Sequence, residues 1–142
     1  MRLHLRLLCV ALLLLAASPM HAAPLRVFLR AGIKTHGPGQ HDHPRFLGEY
    51  TQLLRERGVA VDGAMQFPSA QQLESTDVVV VFAADGMKIT GQDREHFESY
   101  LRRGGGLVVV HDGVVSGDQH EWAKKVQGGA WRWDLPQQKR TK

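Results

Sequence analysis

Cysteine is all but absent from this sequence: the one residue, Cys9, lies near the N-terminus, so the rest of the chain has neither a thiol nor a disulfide. That excludes cysteine nucleophiles and oxidative staples, and leaves packing or a metal to stabilise the fold. Long hydrophobic runs are missing too. The longest, Leu7–Ala17, is shorter than the ~20 residues a permanent membrane span needs. Aromatics make up only 7% of the residues, and no stripe of Lys and Arg is interleaved with them. The formal charge of +4 draws on Arg2, Arg6, Lys139, Arg140 and Lys142, which cluster at the two ends. Nucleic-acid binding therefore has no footprint here.

What is present begins with a secretory signal. Arg2 and Arg6 supply its charge, Leu7–Ala17 its apolar run, Pro19 breaks the helix, and small Ala22 and Ala23 follow. Residues 1–22 are expected to be removed, giving an exported protein, periplasmic or extracellular, with no stable membrane anchor after cleavage. An uncleaved N-terminal anchor is the alternative. Residues 23–134 then form one domain and 135–142 a polar tail. Nothing in the sequence specifies an oligomeric state.

Hydrophobic patterning predicts alternating strands and helices. Leu25–Leu29 reads as a strand ending at Ala31-Gly32. Pro44 fits a first helical turn capped by Asp42 or His43, and Phe46, Leu47, Tyr50, Leu53 and Leu54 recur at helical spacing until Gly58. Val59–Asp62 is a brief strand, and Ser69–Leu73 a helical turn. Val78–Phe82 is a continuous apolar run suited to a strand buried on both faces. Thr90 and Asp93 predict a capping box for a helix with Phe97, Tyr100 and Leu101 inward. Gly104-Gly105-Gly106 ends it, Leu107–Val110 is a further strand, and Asp118 is expected to cap a helix over Gln119–Val126. The alternation implies an α/β fold with a mostly parallel sheet.

Ligands of open parallel sheets bind beyond the carboxyl ends of the strands. The first strand delivers KTHGPGQHDHP, Lys34–Pro44, with His36, Gly37, His41 and His43. The central run delivers Asp85 and Gly86, and the last strand His111, Asp112 and Gly113. Imidazole and carboxylate suit zinc and similar divalent ions; His41 and His43 allow two rings to converge, with His36 a third metal candidate. His111 and Asp112, ending a buried strand, are the candidate catalytic pair. The glycines would let backbone approach a ligand. Plainer readings stand beside these: solvated or hydrogen-bonded histidines, and simple turns at Asp85-Gly86 and Asp112-Gly113. His120 falls near the same edge, and His96 is expected to be exposed. Trp122, Trp131 and Trp133 suit either core packing or stacking on a sugar.

Together, "KTHGPGQHDH", "FAADGMKIT" and "YLRRGGGLVVVHDGVVSGDQHEWAKKVQGGAW" resemble the ThuA-like (trehalose-utilisation) family, over Arg26–Trp131. The resemblance implies a flavodoxin-like, three-layer sandwich of the class I glutamine amidotransferase type. It also implies a role in carbohydrate metabolism involving trehalose or oxidised sugars, with a small-molecule carbohydrate as partner. His36, His41, His43, His111 and Asp112 match the family's own motif. Amidotransferase activity is excluded, because the segment after the last strand reads HDGVVSG without a cysteine, and Ser116 has no G-x-S-x-G elbow. Family domains continue well past the GGAW segment, so a domain incomplete at its C-terminus, with an exposed apolar sheet edge, is expected. Three functions compete: a metal- or histidine-based carbohydrate enzyme, a non-catalytic sugar-binding or scaffold module, and an inactive fragment. Metal content and a sugar-dependent shift in melting discriminate among them.

Overall fold

The apolar run Val78–Phe82 is the spine of the sheet. The computed structural model describes residues 23–131; the signal with Cys9, Trp133 and the polar tail lie outside the described residues. Strands β1 (Arg26–Ala31), β2 (Ala60–Ala64), β3 (Val78–Phe82) and β4 (Gly106–Val109) are all parallel, in the order β2-β1-β3-β4. Between them run helices α1 (His43–Arg55), α2 (Ala70–Glu74) and α3 (Gly91–Arg102), with α4 (His120–Gln127) after β4. This is the doubly wound, flavodoxin-like arrangement, whose strand order reverses beside β1.

The alternation of each strand decides which layer its side chains enter. Phe28, Val79 and Val81 are fully buried with Leu73, Met87, Phe97, Tyr100 and Trp122, against α2, α3 and α4. Each such large apolar side chain contributes roughly 1.5–3 kcal/mol. The opposite face carries Leu29, Val80, Phe82, Val108 and Val110, and α1 packs there on β1 and β2. A groove of about 440 Å³ remains between α1 and β4. The central strand is therefore fully buried on one face and half-buried on the other, rather than buried on both as its composition predicts. Tyr50, on the apolar face of α1, lines that groove and stays exposed, and Leu53 is exposed as well.

Asp42 caps α1, its Oδ1 accepting from the Arg45 N–H at 3.3 Å, with Pro44 in the first turn. Gly128 ends α4 in the left-handed region at φ 82°. Thr90 takes the cap position of α3 but makes no side-chain capping bond. Gly91 follows at φ 59°, outside the right-handed region, so the first turn is not laid out for the predicted box. Asp118 caps nothing: Gly117–Gln119 is a 3₁₀ turn and α4 starts only at His120. Ser69 and Gln72 form a reciprocal capping box that the sequence reading did not single out.

At the other end of the sheet, Asp77 accepts from the Arg26 backbone N–H at 2.9 Å and from its guanidinium at 2.6 and 3.1 Å. These bonds hold the Asp77 carboxyl down from 3.8 to about 2. A depressed carboxyl stabilises the fold above its unfolded pKa and loses that contribution as pH falls through the folded one. Asp77→Asn is expected to melt below the parent at pH 7 and to converge with it as pH falls from about 4 to 2. Melting curves across that range check this.

Candidate metal centre

All the catalytic and metal candidates of the sequence lie at the carboxyl edge of the sheet. His43 opens α1 and is fully buried, its ring 4.5 Å from that of Phe82. Gly32 makes room for it: a Cβ there would stand 3.3 Å from His43 Nδ1 and 2.9 Å from Ala83 Cβ. The His43 Nδ1–H donates to the Ile33 carbonyl at 2.6 Å. A carbonyl only accepts, so this bond fixes where the ring carries its proton. It turns Nε2 toward Asp112, 3.0 Å from Oδ2 and 3.2 Å from Oδ1. A lone pair facing a carboxylate at that distance is repulsive unless positive charge sits on or between them. A second ring proton, or a cation, supplies it.

His41 converges on the same carboxylate, its Nδ1 lying 3.2 Å from Asp112 Oδ2. One nitrogen from each imidazole and one Asp112 oxygen all lie within 4.8 Å of one another. Ligand atoms around a tetrahedral zinc with ~2.0–2.1 Å bonds stand roughly 3.3 Å apart; the donor types suit a divalent ion, and the two His–Asp112 separations of 3.2 and 3.0 Å are close to that spacing. Burial is the largest influence on His41 and lowers its pKa; the neighbouring rings of His36, His111 and His43 add to this, and Asp112 opposes it. A neutral imidazole, the form a metal needs, is thereby favoured.

His111 and His36 flank this group. The His111 ring centroid is 4.8 Å from that of His41, and the His36 centroid 4.2 Å. Thr35 ties the loop together, its Oγ1 lying 3.1 Å from His36 Nδ1 and 3.3 Å from His41 Nδ1. His36, His41 and His111 have φ of 65°, 45° and 48°, and are the non-glycine residues in the left-handed region among those described. Such backbone costs of order 1–3 kcal/mol per residue and is retained where the surroundings demand it, commonly at ligand sites. With Asp112, these three line a pocket of about 370 Å³ completed by Ala84, Val114, Val115 and Trp131.

The other predicted site residues reach the same edge but lie outside the pocket lining. Gly37 sits in an exposed turn, its carbonyl accepting from Lys34 Nζ at 3.1 Å and the Gln40 N–H at 3.2 Å. Asp85 bonds Arg30 at 2.7 Å, and that bond, against partial burial, holds its carboxyl below the usual range. The Arg30 side chain is 9% exposed, so Asp85 neutralises a charge buried on β1 and does not line the pocket. Gly86 and Gly113 face each other: a Cβ on Gly86 would stand 2.6 Å from the Gly113 carbonyl oxygen. Both are there so that the β3 and β4 loops can touch. His120 pairs with Glu121 at 3.6 Å, His96 is exposed, and Trp122 is core, its Nε1–H donating to Glu98 at 2.8 Å. The sequence reading named Trp131 but missed Thr35, the Ile33 carbonyl, Arg30 and the aliphatic pocket residues Ala84, Val114 and Val115. Arg30 had a signal, a charge inside an apolar strand; the others had none.

Fold and site together define a doubly wound α/β domain with a His/His/Asp group at the carboxyl edge of its sheet. The chain belongs to the ThuA family, described as trehalose utilisation, whose model matches residues 33–142. A solved ThuA-like protein from Bacteroides uniformis superposes with a TM-score of 0.58 at 18% identity, over 77% of this chain and 46% of its own. The chain thus spans about half the length of that structure, and at this identity the likeness concerns the fold alone. No curated protein matches the chain.

Proposed function

We propose that this chain acts in carbohydrate metabolism through a divalent-ion site, the ion such as zinc held by His41, His43 and Asp112. The observation that carries the reading is the convergence of those three donors within 4.8 Å beside a pocket. The ion, when bound, would polarise a sugar carbonyl or lower the pKa of a water. The residues divide the remaining work. Ile33 orients His43 through its carbonyl, and Thr35 braces the loop that carries His36 and His41. The His111 side chain is 64% exposed and lines the pocket, where its imidazole can give or take a proton from a bound sugar. Absence of cysteine after residue 9 leaves no thiol for glutamine hydrolysis. The N-terminal pattern supports a reading in which this work is done outside the cytoplasm; N-terminal sequencing of exported protein is then expected to begin at Ala23.

Purified protein is expected to carry about one zinc per chain, and melting is expected to fall when a chelator strips it. Elemental analysis with paired melting curves reads both. Metal-free protein whose melting ignores both added zinc and chelator would sink the metal reading.

A further inference from the structure

Exposure rises stepwise through the histidine group. The His43 side chain is fully buried, that of Asp112 is 10% exposed, that of His41 25% and that of His111 64%. His41, Asp112 and His111 line the pocket of about 370 Å³, whereas His43 lies outside its lining, packed on Phe82. The converging donors His41, His43 and Asp112 therefore span from the core to the pocket floor. Catalytic zinc keeps a coordination position for water or substrate beside three protein ligands, whereas structural zinc is closed by four. His111 comes next in the series. It holds φ 48° with its ring 4.8 Å from that of His41, so it stands beside the group without being one of its three donors. Left-handed backbone at a residue other than glycine is commonly kept at ligand clamps.

We infer that the ion at His41, His43 and Asp112 keeps its fourth position toward the pocket, and that the substrate enters it directly through a pair of adjacent oxygens, one of them also bonded by His111. The inference rests on the metal reading above and adds the mode of binding, the ligand class and the role of His111. A lone sugar hydroxyl resembles the water it must displace and gains little by replacing it. Carbonyl and carboxylate oxygens are the better donors to a divalent ion. A neighbouring hydroxyl on the same molecule then binds at high effective concentration, the ion expanding to five ligands. The class is thus a saccharide derivative that carries a hydroxy-carbonyl or hydroxy-carboxylate pair. Ala84, Val114 and Val115 give the pocket an aliphatic wall on which its carbon skeleton can pack.

The test uses the full chain loaded with cobalt(II) in place of zinc, because the visible absorption of cobalt reports a change among its ligands. Acetohydroxamate, which offers two adjacent oxygens, is the probe. The parent is expected to take up stoichiometric cobalt, and its bands to shift saturably with acetohydroxamate while the metal stays bound. His111→Ala is expected to hold cobalt as the parent does and to bind acetohydroxamate about tenfold more weakly, the loss of one hydrogen bond. His111→Gln keeps a donor and is expected to stay within about threefold of the parent. Cobalt bands that ignore acetohydroxamate in the loaded parent mean an ion closed by a further protein ligand; that overturns this inference and leaves the metal reading standing. A parent that takes up no cobalt overturns both. Parent-like acetohydroxamate binding by His111→Ala, or His111→Gln binding it no better than His111→Ala, removes the bonding role of His111 and overturns the inference. Loss of cobalt from His111→Ala overturns it as well, because the imidazole would then be a ligand.

Discussion

Asp112→Ala is expected to abolish stoichiometric zinc binding, while His36→Ala retains it. Asp112 is the residue on which both imidazoles converge, with His43 Nε2 at 3.0 Å and His41 Nδ1 at 3.2 Å. Its side chain is only 10% exposed, so water cannot freely replace the missing oxygen. Loss of a mere supporting partner to a metal ligand costs roughly 10–100-fold in affinity, and loss of a ligand itself exceeds that. Metal-free stability should fall as well, by about 1–3 kcal/mol, because the buried His43 nitrogen loses its partner. His36 stands differently: its ring meets the His41 ring edge-on and its Nδ1 lies 3.1 Å from Thr35 Oγ1, but it is not one of the three converging donors. Competition of each variant against a zinc indicator separates the two residues. Parent-like affinity in Asp112→Ala would move the metal site elsewhere.

Gly86→Ala is expected to destabilise the fold by about 2–3 kcal/mol, the range of core overpacking, and to weaken metal binding with it. Its Cβ would stand 2.6 Å from the Gly113 carbonyl oxygen, 2.8 Å from Gly113 Cα and 2.8 Å from Val81 Cγ1. Two of these neighbours are backbone, so no side-chain rotation relieves the clash. The β3 and β4 loops must part, and the displaced one carries His111-Asp112-Gly113. Gly37→Ala supplies the contrast, because nothing lies within 4 Å of a Cβ there and its φ is not in the left-handed region. That variant is expected to melt within about 0.5 kcal/mol of the parent. Denaturant curves for both variants, with zinc titrations, check the pair. Equal stability of the two would mean that the Gly86–Gly113 contact is not required.

Much of the fold was legible in the sequence because the signals were local and numerous. Apolar runs of strand length alternate with helical periodicity, and right-handed βαβ crossovers then leave few arrangements beyond a parallel sheet. The site was legible in part. The carboxyl-edge rule, applied to three loops, gathered His36, His41, His43, His111 and Asp112 onto one edge. It also gathered Gly37, Asp85, Gly86 and Gly113, which turned out to shape a turn, balance Arg30 and let two loops touch. The rule reports which segments arrive at an edge and is blind to the direction in which each side chain leaves the backbone.

The sequence by itself determined the layered α/β architecture, the lack of cysteine among residues 10–142 and the segments that meet at the carboxyl edge. Periodicity, composition and turn residues are properties of neighbouring positions, and no distant contact is needed to read them. Only the tertiary structure decided that Asp112, 69 positions from His43, is the shared partner of two imidazoles. It likewise separated Trp131 in the pocket from Trp122 in the core, and left the face beyond α1 an open groove. These outcomes depend on how whole elements pack and on which rotamer space remains afterwards. Neither quantity is carried by any one stretch of chain.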